Sequence, residues 1–477
     1  MKLYIDGKLS DAATGETRAI FCPADGCEAG RVAWAGKADA KRALTSSLEG
    51  FETWRHLIPE VRADWMLRLK VSLQRREEDL RTIVMHEQGK TWQQTKEDFD
   101  LLIGALDYYA GKHTGMATKI DHNDPHYTHT LSSEPAGPVV AVLAWNFPLL
   151  NLGYKLGPAL AAGCSILVKP SPETPLSSYA VGEICAEIGF PKGVISVLCG
   201  DDDEVSETLV ASDIPAVVTL IGSIRTGRRL YEVGSRSIKK YSMELGGNAP
   251  AIVFADANLD TAADIICGLK FSNAGQICVA PNRVLVESSV HEKLKEQIVD
   301  RARAVRLGFG RDSDATMGPV IHREARDRII GLAEEALREG ASTVYHGTVP
   351  QDLVGGSFVA PIVLDATPRS GRLWREEVFG PLIALYTFDT DEQALELAND
   401  TDAGLSSFVF TSDESRIRRF CRDLRFGEVQ VNGVKYGIEL PHLGIKQSGV
   451  GCDCSLLALE DYLVKKRVTI ATTLDCT

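Results

Sequence analysis

Five short stretches of this chain carry residue types suited to chemistry, and none is decisive alone. NAGQICVA (273–280) sets Cys278 in a turn of small and polar residues. A thiolate is a nucleophile, and nearby N–H groups or positive charge favour that form. A lone cysteine is more often a buried apolar packer, and Cys278 is one of eleven. MELGGNAP (243–250) puts Glu244 before two glycines. A carboxylate whose pKa is raised by partial burial can serve as a general base, and glycines permit close backbone approach. In AWNFP (144–148), the Asn146 amide is placed either to donate to a developing oxyanion or to cap a helix begun by Pro148.

Two further stretches suit anion binding. LIGSIRTG (220–227) reads as a buried strand entering a Gly222-Ser223 turn and then a helix. Backbone N–H groups at a helix start stabilise phosphate, although an ordinary strand-to-helix turn has the same pattern. Lys169 closes the apolar run ILVK, where it reaches ribose or phosphate oxygens or simply meets solvent.

The elements that must position these residues change character along the chain. Residues 1–115 read mainly as helix after a short start, with one amphipathic helix over 60–90 and another over 97–111. From 139 onward, apolar runs of strand length at 139–144, 165–170, 194–199 and 216–221 alternate with helical segments. That alternation predicts a parallel sheet covered on both faces, with ligands at the carboxyl ends of its strands. A second α/β alternation starts near residue 251, and the alternating tail 460–471 reads as an extra strand pairing outside its own domain.

Bulk properties narrow the function further. The 477 residues carry a formal charge of -13 with scattered Lys and Arg, which opposes nucleic-acid binding. The uncharged run 136–154 is broken by Pro138, Asn146, Pro148 and Asn151, so it makes no membrane span. No apolar segment follows Lys2, and the odd cysteine count has irregular spacing. A cytoplasmic protein with reduced thiols and no metal site is expected, the Cys452/Cys454 pair lacking a second pair at zinc spacing.

Taken together and in order, the stretches resemble the NAD(P)-dependent aldehyde dehydrogenase superfamily over essentially the whole chain. The resemblance rests on WNFP (145–148), GPALAAGC (157–164), LVKPSPETP (167–175), GSIRTG (222–227), ELGGNAP (244–250), NAGQICV (273–279), EEVFGP (376–381) and GIKQSG (444–449). ELGGNAP with NAGQxC is most like the succinate-semialdehyde dehydrogenase branch. The resemblance implies a doubly wound, Rossmann-like α/β cofactor domain (1–115 and 136–246) and a second α/β catalytic domain (247–450). It also implies a small β oligomerisation element (116–135 and 455–477), and hence a homodimer or homotetramer.

It further implies roles. Cys278 becomes the nucleophile, Glu244 the base that hydrolyses a thioester, and Asn146 an oxyanion donor. Lys169, Gly222, Ser223, Glu377, Phe379, Trp145 and Leu245 would hold NAD, with NADP as the alternative because Pro172 stands where NAD-preferring relatives often have glutamate. Leu101, Phe147, Asn151, Tyr154, Ile277, Tyr436 and His442 would line the substrate tunnel. Tyr154 replaces an arginine common in bacterial succinate-semialdehyde dehydrogenases, and His442 replaces an aromatic residue. A small polar aldehyde, either a semialdehyde or a hydroxyaldehyde, is therefore expected. Succinate semialdehyde itself is the alternative, and a non-redox cysteine hydrolase is the alternative of another class. Lys155 and Asp453 are placed to form a proton-relay pair.

Overall fold

The computed structural model describes residues 1–112, 118–119, 126–311 and 313–471. Parts of the expected 116–135 and 455–477 segments, and Cys476, lie outside these residues.

Five parallel strands form the centre of the first sheet. In spatial order they are Lys240–Leu245, Val217–Gly222, Val139–Val142, Ile166–Lys169 and Ile195–Val197. Val139–Val142 and Ile166–Lys169 are buried at every position, as a sheet covered on both faces requires. Chain order runs outward in opposite directions from the neighbours Val139–Val142 and Val217–Gly222. Such a switch opens a crevice at the carboxyl ends of the two strands. Asn146 follows one of them and Ser223 follows the other.

The second sheet has its own apolar core. Its parallel strands run in the order Ile362–Asp365, Leu382–Phe388, Arg283–Glu287, Pro250–Val253, Ser406–Phe410 and Glu428–Val431. Ser342–His346 adds an antiparallel edge. The short strand Gly449–Val450 crosses back to the first sheet, where Gly449 pairs with Glu244. This return ties the chain's closing motif to the candidate base.

The N-terminal expectation needs correction. Four strands, Leu3–Ile5, Lys8–Ser10, Thr17–Phe21 and Glu28–Ala33, precede the first helix. The first two form a hairpin around Asp6-Gly7, both left-handed at φ 60 and 72°, the conformation a two-residue turn needs to match strand twist. The expected helix over 60–90 is two helices, Pro59–Arg75 and Glu77–Gln88, which break at Arg76. The segment 97–111 belongs to the longer helix Trp92–Ala110.

The tail strand, Leu463–Ala471, pairs antiparallel with Tyr127–Pro135 through nine consecutive residues. Thr118–Lys119 completes this three-stranded sheet. Among the described residues, no helix is long and apolar enough to cross a membrane.

Candidate active site

A cleft of about 1050 Å³ draws its walls from both sheets. Trp145, Asn146, Phe147, Gly222, Ser223, Glu244 and Leu245 face Ile277, Cys278, Glu377, Phe379 and His442 across it. Leu101, Asn151, Tyr154 and Tyr436 line the same cleft. Of the cofactor and catalytic residues expected from the sequence, Lys169 stands outside these walls, as does Lys155 of the expected relay pair, whereas Asp453 lines them.

Cys278 follows a tight turn, Ser272–Gly275, in which Asn273, Ala274 and Gly275 are all left-handed at φ 46, 52 and 71°. Left-handed backbone costs about 1–2 kcal/mol for each residue with a Cβ, so the turn needs external support. Buried amides supply it. Gln88 Nε2 donates to Asn273 Oδ1 at 3.0 Å, and Gln276 Nε2 donates to the Asn273 carbonyl at 2.9 Å. The Ile321 N–H donates to Gln276 Oε1 at 2.8 Å, anchoring the turn from the other side.

Asn146 does not cap the following helix. That helix, Pro148–Ala162, starts with Phe147 as its N-cap residue and has no side-chain cap. The Asn146 Nδ2 instead donates to the Gln276 carbonyl at 3.1 Å, and Asn151 Nδ2 donates to Asn146 Oδ1 at 3.3 Å. These two bonds fix the amide's orientation. A primary amide has two N–H donors, and this arrangement leaves the second for a ligand. Behind it, the buried Lys90 ammonium donates to the Asn146 carbonyl and lies 3.5 Å from the Phe147 ring centroid. Asp98 lies 3.9 Å from the same ammonium. Burying a cation costs several kcal/mol, and the carbonyl, ring face and carboxylate together offset that cost.

Glu244 is 5% exposed, and among the described residues neither carboxyl oxygen has a hydrogen-bond partner. Burial raises its pKa to about 8, against the opposing pull of His442 and Lys155. The two glycines after it are required by close approach. A Cβ on Gly246 would lie 2.5 Å from Glu377 Oε2, and one on Gly247 would lie 2.5 Å from the Cys278 carbonyl oxygen. Lys155 and Asp453, both buried, form an ion pair at 2.5 Å.

His442 sits deeper in the chemistry than a tunnel wall. Its Nδ1 lies 2.7 Å from Glu428 Oε1, and its Nε2 lies 3.7 Å from Glu244 Oε2. The imidazole and the Cys278 side chain line the same cleft. Burial disfavours the imidazolium, but Glu244, Cys278 and Glu428 hold its pKa well above the usual histidine range. Burial holds the Cys278 thiol above its ordinary pKa, and His442 opposes this only in part.

The remaining walls suit a dinucleotide. The helix Ile224–Gly234 begins at Ser223, whose hydroxyl accepts from the Thr226 N–H at 3.1 Å, and N–H groups at a helix start can donate to an anion. Gly227 lets that helix lie against Leu245, since a Cβ there would approach the leucine to 2.8 Å. Glu377 Oε1 accepts from the Gly247 N–H at 3.0 Å, while burial raises this carboxyl to about 7. Such a group can accept from ribose hydroxyls. Trp145 and Phe379 meet edge to face at 5.4 Å, forming an aromatic wall. Lys169, buried at its strand end, pairs with the exposed Asp202 carboxylate.

Sequence reasoning missed Glu428, Lys90, Gln88 and Asp202. Each comes from a segment with no motif of its own, and only the fold brings it to the site. His442 was singled out, but as a tunnel residue.

The aldehyde dehydrogenase family profile matches residues 10–468. A non-phosphorylating aspartate-semialdehyde dehydrogenase of Halomonas elongata is 35% identical over 97% of this chain and 94% of its own. The NADP(+) succinate-semialdehyde dehydrogenase of Escherichia coli is 33% identical, over 98% and 97%. The crystal structure of Staphylococcus aureus betaine aldehyde dehydrogenase with NAD+ superposes at a TM-score of 0.95. It is 33% identical and covers 100% of this chain and 96% of its own.

Proposed function

This chain belongs to the aldehyde dehydrogenase family, and we propose that it oxidises a small polar aldehyde to the acid with NAD, through a thioester on Cys278. The observation that carries the reading is the convergence of Cys278, Asn146 and Glu244 in one cleft with Ser223, Glu377 and Phe379.

The Cys278 thiolate adds to the aldehyde carbon through a sulfur lone pair, and the carbonyl π electrons move to oxygen. The free N–H of Asn146 and the Cys278 backbone N–H are the donors for that alkoxide. The alkoxide can expel hydride where an aldehyde cannot, because the product is a thioester and not an acylium ion. Bound NAD supplies the hydride acceptor. Glu244 then takes a proton from the water that attacks the thioester, and the acid leaves. A hydrolase without redox chemistry would leave Glu377, Phe379 and the Ser223 turn without a task.

The choice of aldehyde follows from the outer walls. Among the described residues no arginine lines the cleft, and Glu97, Asp100 and Glu428 outnumber Lys96 and Lys435. A carboxylate tail therefore finds no bidentate clamp. This supports a hydroxyaldehyde ahead of succinate or another dicarboxylate semialdehyde. NAD is favoured over NADP because the Asp202 carboxylate already occupies Lys169. A 2′-phosphate there would meet like charge.

An aldehyde panel assayed with both cofactors tests these points. The highest kcat/KM is expected on a short hydroxyaldehyde with NAD, and best turnover on long alkanals would overturn the assignment. Asp202→Asn is expected to shift the NAD:NADP ratio of kcat/KM toward NADP by about tenfold.

We assign 1–115 and 136–246 to cofactor binding, 247–450 to catalysis, and the sheet of Tyr127–Pro135 and Leu463–Ala471 to a homodimer or homotetramer contact. Leu463–Ala471 is an edge strand, and Val464, Val468 and Ile470 on it are exposed. An exposed apolar edge favours pairing with a second copy. The ten described cysteines are all free thiols, which fits a reducing, cytoplasmic setting.

A further inference from the structure

Glu244 must be charged to take a proton from water, yet its buried position favours the neutral acid. We propose that His442, held by Glu428, is a positioning residue for this base: its imidazolium pairs with the Glu244 carboxylate and keeps it charged and in place during thioester hydrolysis. This role rests on Glu244 being the hydrolytic base.

The geometry sets the charge of the ring. His442 Nδ1 lies 2.7 Å from Glu428 Oε1, and Nε2 lies 3.7 Å from Glu244 Oε2. Carboxylate oxygens only accept, so a ring with one at each nitrogen is best served by a hydrogen on both. Nδ1 donates to Glu428, and the Nε2 side faces Glu244 across a gap too long for a hydrogen bond but close for an ion pair. Among the described residues neither Glu244 oxygen has a hydrogen bond, so this pairing is the polar contact that steadies the carboxylate. With Oε2 turned to the ring, Oε1 is left for water.

The ring itself is braced. The His442 N–H donates to the Asp453 carbonyl and the Asp453 N–H donates back to the His442 carbonyl, both at 2.8 Å. Asp453 is in turn anchored by Lys155, and Tyr436 packs edge to face against the imidazole at 6.1 Å. Glu244 comes from the first sheet and Glu428 from the second, so His442 couples the base to the opposite wall of the cleft.

The other groups around Glu244 do not replace the ring. Asp453 and Glu428 favour the neutral acid, as burial does, and Lys155 opposes them while already paired with Asp453. The thiols of Cys452 and Cys454 and the phenols of Tyr154 and Tyr436 are shifted upward by burial and remain neutral. Cys278 carries the acyl group at this stage and has no charge. A cation beside a carboxylate favours the ionised form, and removing it raises the pH at which the carboxyl ionises.

Acetylating Cys278 on the full chain with p-nitrophenyl acetate, without cofactor, tests this role. Loss of the acetyl group from the Cys278 peptide is followed by mass spectrometry across a pH series. In wild type the loss should quicken as pH rises through about 8. In His442→Phe and His442→Gln that midpoint should move upward by about one to three pH units, and hydrolysis at neutral pH should slow by about tenfold or more. The deficit should shrink as pH rises, which a merely structural role would not produce. His442→Lys keeps a cation and should hold the midpoint near wild type. Wild type itself guards against misfolded variants: a carboxyl midpoint scarcely moves with temperature, whereas an imidazole midpoint falls on warming. An unmoved midpoint in both His442→Phe and His442→Gln overturns the proposal. So does an equal loss of rate at every pH, or a wild-type midpoint that falls on warming. An unchanged pH profile in Glu244→Gln would instead refute Glu244 as the base, a distinct result.

Discussion

Glu244 shows how a single side chain acquires a function from its surroundings. A glutamate before a turn is ordinarily a solvated acid, but here burial lifts its pKa to about 8 and, among the described residues, leaves both oxygens without a hydrogen bond. Below that pH the group is mostly protonated and cannot accept a proton from water. Deacylation is therefore expected to rise with pH through about 8, read as the ascending limb of kcat. Glu244→Gln should remove that limb and lower steady-state kcat by about 10²–10⁴-fold. It should retain a single burst of NADH per Cys278 in rapid mixing, since acylation does not use this carboxyl. A lost burst with the limb intact would place Glu244 in acylation instead.

At the scale of elements, the site is a meeting of turns at strand ends. The Ser272–Gly275 turn presents Cys278, and the Gly246-Gly247 pair brings Glu244's strand against it. Gly247→Ala puts a methyl group 2.5 Å from the Cys278 carbonyl oxygen, so one backbone must move. Displacing a reacting atom by about 1 Å costs on the order of 10²-fold in rate. Gly247→Ala is accordingly expected to lower kcat by about that factor with a smaller change in KM, while Gly268→Ala, where a Cβ meets nothing within 4 Å, should be silent. Equal losses in both variants would remove the close-approach explanation. The turn also explains why Gln88 and Lys90 matter without touching substrate, since they hold the backbone that holds the reacting groups.

For the whole molecule, the two sheets supply opposite walls of one cleft, and the third sheet leaves an apolar edge on the surface. Ile470, 60% exposed, is the most exposed of the large apolar residues on that edge. Ile470→Lys is expected to shift the particle toward a smaller species in light scattering after size exclusion, with the cleft's cofactor binding retained. An unchanged mass would show that this edge does not carry the contact.

Local rules were enough for much of this protein. Apolar runs of strand length made the α/β class legible from sequence, and the motifs that carry the family resemblance named Cys278, Glu244 and Asn146, which meet in one cleft. The same rules misread the N-terminus, because three-residue strands around Asp6-Gly7 are too short for periodicity to register. They were silent on Glu428, 150 residues from Cys278 and within a short strand that carries no motif. Only the tertiary structure decided that His442 sits between Glu428 and Glu244, because a pKa depends on distances and burial. Residue type and spacing name the groups that can carry charge. Packing decides which of them share it.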